Sequence, residues 1–317
     1  MPNMEWGFLI ATDLFFGGLS AGLFIFSVTI LFARKEGRYP HIARVGALLA
    51  PWPVMAATAI LLADLGHWYR FYKLLLHFRV FSPMSMGTWI LSGFIAVALL
   101  YCYSWLEPGE RDRLFGLLPK KLSWMQRLNR DLSYLRQRLA LIGTPLALGA
   151  VLYPGLLLGV VQARPFWNNS LIAQLFVVSA ATVACAVLIL TGYIPRIRPV
   201  RELNLLHRLN VALLALELGV VCAFVLYGSV SLRPTHEALR LILGGPFTAW
   251  FWFAFVGMGV LVPLTVTLAR RVPKATEHDH ALLRLLRYSP VAAPVLVVLG
   301  GYLLRCLVIF AGQRSAI

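Results

Sequence analysis

Acidic side chains are scarce in this sequence, where 13 Asp and Glu residues stand against 29 Lys and Arg residues. Charged residues of both signs make up only 13% of the chain, 59% is hydrophobic, and the mean hydropathy is +0.76. This composition excludes an ordinary water-soluble domain. Polar stretches long enough for a separate soluble domain are also lacking, so catalytic machinery outside a membrane would have to belong to another subunit.

Cysteine and histidine are too sparsely placed to hold a metal cofactor. The four cysteines, Cys102, Cys185, Cys222 and Cys306, occur singly, whereas iron–sulfur clusters need cysteines at short, repeated intervals. We interpret all four as small buried core residues. The seven histidines lie outside the middle of the apolar stretches, where paired haem ligands would have to face each other. We therefore expect neither an iron–sulfur cluster nor haem in this chain.

Long apolar stretches dominate what is present. A membrane-spanning helix needs about 20 apolar residues, and eight stretches meet that length. The first has no positive segment before it and is too long for a cleaved signal, so we predict a permanent span. The sequence thus predicts an all-α polytopic membrane protein, a single integral membrane domain over 1–317. Its eight spans cover roughly 5–33, 46–66, 85–106, 139–162, 170–193, 209–228, 247–269 and 289–311.

Most of the basic residues fall in alternate connections. The loops after spans 1, 3, 5 and 7 carry 21 of the 29 Lys and Arg residues. The positive-inside rule then places both termini on the periplasmic side of the inner (cytoplasmic) membrane. The longest connector, 107–138, reads as an amphipathic helix on the cytoplasmic face. The excess of positive charge accordingly predicts contact with membrane lipids and no binding of nucleic acid.

Ionisable residues inside the predicted spans need an explanation, because a charge at the bilayer centre costs about 2.5 to 3.5 kcal/mol. Asp64 and His67 share one helix face at the outer end of span 2. The other such residues expected at the same outer depth are Asp13, Tyr153, Arg164 and Arg305. One interpretation is a set of ion pairs, Asp13 with Arg305 and Asp64 with Arg70 or Arg164. The other is a pocket for an aromatic molecule that exchanges protons.

Glu217 differs, since it lies near the centre of span 6 among apolar residues, in "VALLALELGVVCAFV". A buried glutamate of this kind either transfers protons between the pocket and the cytoplasm or hydrogen-bonds a neighbouring span.

Glycines also have a predicted role. Gly18 and Gly22 in "FFGGLSAGLF", four residues apart, predict close contact between helices, as does "VGMGV" in span 7.

Three segments together resemble a known family, the NrfD-like or PsrC-like membrane subunits of polysulfide reductase and related complexes. They are "WGFLIATDLFFGGLSAGLF", "DLGHWYRFYKLLLHFRVFSPMSMGTW" and "GYLLRCLVIFAGQ". The resemblance implies a subunit that binds menaquinone or ubiquinone near the outer face and has no independent activity. It also implies a ferredoxin-like partner with four [4Fe–4S] clusters, and a molybdopterin or hydrogenase catalytic subunit, as in polysulfide or sulfur reductases and formate dehydrogenases.

The resemblance also suggests roles for individual residues. The family's first span offers the quinone a polar pair one turn apart; Asp13 matches one member, but Gly17 occupies the second position. The family tyrosine of span 4 is matched by Tyr153. We expect quinone binding by Asp13, Asp64, His67 and Tyr153, proton transfer by Asp13, Asp64 and Glu217, structural ion pairs at Arg164 and Arg305, and partner docking at Tyr69, Lys73 and His77.

Electrons would then pass between the partner's cluster and the membrane quinone pool, with proton uptake or release, as in anaerobic respiration. Two other functions remain open from the sequence. A secondary transporter also buries acidic residues among small-residue spans, although its charges normally lie at interrupted helices near the midplane. A passive membrane anchor would dock a periplasmic enzyme without quinone chemistry.

Overall fold

Within the part of the chain that the structure describes, eight helices have the length and composition of membrane spans. The computed structural model describes residues 7–64, 82–116, 132–161, 164, 166–194, 199–230, 233–269 and 290–314, and these residues contain helices and no strand. The prediction of an all-α polytopic membrane protein with eight spans is confirmed. The spans, numbered 1 to 8 in chain order, are Phe8–Phe32, Pro40–Ala63, Ser85–Ser104, Ser133–Gly159, Ser170–Gly192, Val200–Val230, Trp250–Ala269 and Ala292–Arg314.

Three spans begin earlier than their apolar stretches predict. Span 6 begins at Val200 rather than near residue 209, span 2 at Pro40 rather than near residue 46, and span 4 at Ser133 rather than near residue 139. Helical hydrogen bonding continues through polar residues, whereas hydropathy marks only the apolar part of a helix. The early turns of span 6 carry the buried residues Glu202 and Asn210, which therefore belong to the packed bundle.

Spans 1 and 5 lie at the centre of the bundle. Span 1 packs against spans 2, 4, 5 and 8, and span 5 packs against spans 1, 4, 6 and 8. A Cβ atom added at Gly22 would lie 2.6 Å from Ala184 Cβ and 2.8 Å from Ala180 O. Gly259 of span 7 similarly touches Gly300 of span 8. These contacts confirm the close helix packing predicted from the glycines of spans 1 and 7.

Span 2 is divided by Pro51 into the helices Pro40–Leu49 and Pro51–Asp64. Proline lacks an amide hydrogen, so it interrupts the helical hydrogen bonds at this point. The Ser20 hydroxyl of span 1 donates to Ala50 O beside the break, and the Ser27 hydroxyl donates to Ala43 O. Neighbouring hydroxyl groups thus satisfy backbone carbonyls in an apolar environment, where an unpaired group is costly.

The beginning of span 1 and the end of span 8 meet at one end of the bundle. The rings of Phe8 and Phe310 pack edge to face with centroids 4.9 Å apart. We call this end of the bundle the terminal face, and the end that carries Phe32, Pro40, Gly192 and Val200 the opposite face. Helix Arg233–Leu243, which follows span 6, lies at the terminal face.

Carboxylates organise the opposite face. Glu202 accepts hydrogen bonds from the backbone amides of His41 at 3.2 Å and Ile42 at 2.8 Å, at the first turn of span 2. Arg44 pairs with Glu107 Oε1 at 2.8 Å and with Glu110 Oε1 at 2.7 Å. The predicted amphipathic connector is described only in part, as helix Pro108–Gly116, and residues 117–131 lie outside the described residues.

The cysteines do not all lie in the core. Cys185 and Cys306 are buried, Cys102 is half-buried and Cys222 is exposed. The prediction of a buried core residue is therefore wrong for Cys222. Span 6 lies at the periphery of the bundle, so only one of its sides is buried, and Cys222 lies on the other side.

Candidate functional site

Asp13 and Tyr153 lie at the same depth on neighbouring spans. Asp13 comes five residues after Phe8 and Tyr153 six residues before Gly159, so both lie about 8 to 9 Å from the terminal face. Each side chain is half-buried, and the two groups interact electrostatically. Asp13 forms no hydrogen bond or ion pair with any other residue in the described part of the chain. None of the described residues therefore occupies its carboxyl group.

Gly87 of span 3 makes room for the Tyr153 ring. A Cβ atom added at Gly87 would overlap the ring carbons and the hydroxyl oxygen of Tyr153. The tyrosine ring thus lies directly on the backbone of span 3, which fixes the position of its hydroxyl group. Sequence reasoning missed Gly87, because a single glycine in an apolar helix carries no signal of its own.

Gly17 leaves a space next to Asp13. The two residues are four apart on span 1 and share one helix face. Gly17 is buried, yet a Cβ atom added there would meet no heavy atom of the described residues within 4 Å. Gly18, the next residue, is much more crowded, with Ala180 Cβ at 3.2 Å and Arg305 Nη2 at 3.3 Å. The Asp13 face of span 1 therefore borders a space that no described residue fills, which we call the unfilled space.

Arg305 lies deeper than the sequence suggested. It is two residues beyond the middle of span 8, and it is 1% exposed. Its Nη1 donates to Ser179 Oγ at 2.8 Å and to Gly301 O at 2.7 Å, and the rings of Phe15 and Phe176 flank the guanidinium. No ion pair joins it to Asp13 among the described residues. Spans 5 and 8 supply the hydrogen-bond acceptors of Arg305, and the expected ion pair with Asp13 is absent among the described residues.

Glu217 meets the same group of residues from span 6. It is 3% exposed, hydrogen-bonds the side chains of Ser179 and Thr182, and interacts electrostatically with Arg305. It also lies two residues beyond the middle of its span. Arg305, Ser179, Thr182 and Glu217 thus form one polar cluster near the centre of the bundle, which we call the central cluster.

Arg164 and Trp167 fasten the loop after span 4 to the end of span 8. Arg164 Nη1 donates to Gly312 O at 3.5 Å, and Trp167 Nε1 donates to Val308 O at 2.8 Å. A Cβ atom at Gly312 would overlap the Trp167 indole. The contacts of Arg164 with described residues are of the structural kind expected, but they are made with a backbone carbonyl in place of a carboxylate.

Part of the predicted site cannot be placed. His67, Tyr69, Lys73, His77 and the side chain of Asp64 lie outside the described residues. Within the described ranges, no group of three or more His, Cys, Asp and Glu side chains could hold a metal ion. The site that can be assembled therefore consists of Asp13, Tyr153, Gly87 and Gly17, with the central cluster beneath it.

The chain belongs to an established family of membrane subunits. The family model "Polysulphide reductase, NrfD" matches residues 1–316, so the chain is a member of the NrfD family, as the resemblance in its three segments indicated. The chain is 30% identical to protein NrfD of Escherichia coli K12 over 277 residues, which is 83% of this chain and 84% of that protein.

Two further relatives are subunits of oxidoreductases by name. The C subunit of polysulfide reductase from Wolinella succinogenes is 26% identical over 320 residues, covering 98% of this chain and 95% of that protein. The integral membrane subunit of the Hdr-like menaquinol oxidoreductase of Archaeoglobus fulgidus is 23% identical over 273 residues, covering 84% of this chain and 63% of that protein.

Proposed function

We propose that this chain is the quinone-binding membrane subunit of a respiratory oxidoreductase complex. The observation that carries the proposal is the pair Asp13 and Tyr153, placed at one depth beside an unfilled space in a member of the NrfD family. The names of the relatives support it, since one is a subunit of polysulfide reductase and another belongs to a menaquinol oxidoreductase. Menaquinone or ubiquinone would be the cofactor.

The described residues fit a quinone head group. Such a ring offers two carbonyl oxygens that need hydrogen-bond donors, and its oxidised and reduced forms differ by two electrons and two protons. Tyr153 carries a donor hydroxyl on a ring fixed against Gly87, and Asp13 carries a carboxyl group without a partner among the described residues. The open space at Gly17 lies on the Asp13 face of span 1, and span 1 packs against span 4, which carries Tyr153.

In this proposal each residue has a distinct task. The Tyr153 hydroxyl donates to a carbonyl oxygen and orients the ring, while Asp13 accepts or returns a proton at the other side of the ring. Asp64 and His67, which stand three residues apart in the sequence, would complete the site and share in proton transfer. Because Gly17 has no side chain, His67 is the residue that could take the place of the family's second polar group.

The central cluster suits proton storage. Ser179 accepts a hydrogen bond from Arg305, so its own hydrogen remains for Glu217. The Thr182 hydroxyl lies beside the same carboxyl group and donates to Val178 O at 2.9 Å. A hydroxyl oxygen can donate or accept, so the Glu217 carboxyl keeps polar neighbours whether or not it carries a proton.

The partner subunits would dock at the terminal face. We place this face on the periplasmic side of the inner membrane, in line with the excess of basic residues in the connections at the opposite face. A four-cluster [4Fe–4S] subunit would contact Tyr69, Lys73 and His77, because electron transfer requires a close approach to the quinone. A molybdopterin or hydrogenase subunit would lie beyond it. Crosslinks from this partner to the connections at the opposite face would contradict the placement.

The test is quinone-coupled turnover of the complete complex with single substitutions at the site. We expect Asp13→Asn and Tyr153→Phe to lower turnover by about a hundredfold, the usual contribution of a positioned acid or base. Binding of a hydroxyquinoline N-oxide, a quinone-site inhibitor, should weaken as well. Tyr134→Phe, at an exposed tyrosine of the opposite face, is the matched control and should leave both quantities unchanged.

The same measurements separate the alternatives. Wild-type turnover and unchanged inhibitor affinity in both site variants would overturn the proposal and favour a passive anchor. Uptake of a solute by this chain alone, reconstituted into liposomes without its partners, would favour a secondary transporter. Neither result is expected, because Asp13 and Tyr153 lie towards the terminal face rather than at the midplane, where transporters place their charges.

A further inference from the structure

Asn210 is a buried polar residue whose contacts leave one atom unsatisfied. The residue is 1% exposed, and its Oδ1 atom has no hydrogen-bond partner among the described residues. A buried amide oxygen without a partner is rare, because burial removes its hydrogen bonds to water and returns nothing. Polar groups of this kind are usually satisfied by buried water.

The position of Asn210 connects it to the central cluster. It lies on the buried side of span 6, seven residues before Glu217, and two helical turns bring the two side chains to the same face about 10 Å apart along the helix axis. Leu213 and Leu214 lie between them on that face; Leu213 is half-buried and Leu214 is fully buried. Two or three water molecules at ordinary hydrogen-bond distances of about 2.8 Å would bridge this interval.

A titratable pair, His207 and Tyr193, lies on the same side of span 6, nearer to the opposite face than Asn210. His207 precedes Asn210 by three residues, which places both on one side of the helix. Its Nε2 is hydrogen-bonded to the Tyr193 hydroxyl at 3.0 Å, where span 5 ends at the opposite face. Both side chains are half-buried, so the pair borders the surface.

We propose that Asn210 holds buried water between spans 5 and 6, and that this water carries protons between Glu217 and the His207–Tyr193 pair. The path therefore opens on the opposite face, whereas Asp13 and Tyr153 lie near the terminal face. Only protons move along it: each step breaks one O–H or N–H bond and forms the next. The inference deepens the proposed function, since protons exchanged at the site near the terminal face would come from the opposite face.

A direct test measures how fast the Glu217 carboxyl exchanges its hydrogen with deuterium. The complete chain in lipid nanodiscs is transferred to heavy water, and infrared difference spectra follow the carboxyl band, which is assigned by its loss in Glu217→Gln. We expect Asn210→Leu to slow this exchange by at least about tenfold. Asn210→Ser, which keeps a polar group, should restore most of the rate. Exchange at the wild-type rate in Asn210→Leu would overturn the proposal.

Asn204 provides the matched control. It lies on the same helix but is exposed, and Asn204→Leu should leave the exchange rate unchanged. The readout does not depend on quinone chemistry. Loss of inhibitor binding in the Asp13 and Tyr153 variants reports on the proposed function, whereas deuterium exchange at Glu217 reports on this path even if no quinone binds.

A second measurement needs no substitution and so does not depend on whether Asn210→Leu folds. Hydroxyl radicals generated by X-rays from bound water label the side chains beside that water. In the wild-type chain we expect labelling of Leu214, which lies between Asn210 and Glu217, well above that of Leu158. Both leucines are 0% exposed. Labelling of Leu214 no stronger than that of Leu158 would contradict the presence of water at this position.

Discussion

Arg305 and Glu217 are linked through a single hydroxyl group, that of Ser179. Arg305 Nη1 donates to Ser179 Oγ at 2.8 Å, and Ser179 is in turn hydrogen-bonded to Glu217. The arginine and the glutamate come from spans 8 and 6, and the serine between them comes from span 5. Spans 5, 6 and 8 are therefore joined by polar contacts near the bilayer centre.

Removing Arg305 alone should destabilise the protein strongly. Arg305→Met leaves Glu217 and Ser179 buried without their cation, and breaking a buried pair in this way costs about 3 to 5 kcal/mol. We expect a lower midpoint in thermal unfolding of the purified chain, and less protein in the membrane. The double variant Arg305→Met with Glu217→Gln should recover a large part of the loss, because no uncompensated charge remains. A double variant as unstable as Arg305→Met would mean that packing of the long arginine side chain dominates.

Substitution of Gly17 should separate ligand binding from stability. Because a Cβ atom there meets nothing within 4 Å, Gly17→Leu should keep the thermal stability of the wild type while it fills the space beside Asp13. We expect inhibitor affinity to fall by at least about tenfold. Gly22→Ala is the contrasting variant, since its Cβ would crowd Ala184 and Ala180, and overpacking of this kind costs about 1 to 3 kcal/mol. Unchanged inhibitor affinity in Gly17→Leu would place the ligand elsewhere.

Gly87→Ala should displace the Tyr153 ring. The added methyl group would occupy the space that the ring now fills, so the phenol hydroxyl would move from its position near Asp13. We expect quinone-coupled turnover of the assembled complex to fall towards that of Tyr153→Phe. Gly93→Ala is the control on the same helix, because its nearest neighbour, Leu146 Cδ2, lies at an ordinary 3.5 Å. Equal turnover in Gly87→Ala and Gly93→Ala would show that the ring position is unimportant.

The Arg44 and Glu110 pair should contribute stability only above acidic pH. The backbone amide of Glu107 donates to Glu110 at 3.0 Å, and this bond together with Arg44 lowers the pKa of the Glu110 carboxyl. The stabilisation is present above the unfolded-state value of about 4.3 and disappears as the pH falls through the lower folded-state pKa. Glu110→Gln should therefore unfold at a lower temperature than wild type near pH 7, and the difference should vanish at strongly acidic pH. A difference that grows on acidification would contradict this assignment.

The sequence was informative about the spans because a hydrocarbon environment imposes a length and a composition on each helix. Spans 1 and 5, predicted at 5–33 and 170–193, are found at Phe8–Phe32 and Ser170–Gly192. The start of span 6 was missed, since its first turns are polar and bury Glu202 against the backbone of span 2. Hydropathy reports the contact of a helix with lipid and is blind to polar contacts within the bundle.

The site was less accessible to sequence reasoning. The depths of Asp13 and Tyr153 could be estimated from their distances to the span ends, and the structure brings the two residues together. The partners of Arg305 could not be estimated, because the relative positions of spans 5, 6 and 8 are set by packing at glycines such as Gly301. The role of Gly87 could not be predicted for a related reason, because it depends on the Tyr153 ring that packs against this glycine.

The contact between Phe8 and Phe310 has a topological consequence. Because the first span begins and the last span ends at the same face, side by side, each span packs against the next one in the chain and the eighth packs against the first. A short peptide could join spans 8 and 1 at the terminal face, and new ends could be opened within the connector between spans 3 and 4. Such a circularly permuted protein should assemble the same bundle, with its new ends emerging from the other side of the bilayer.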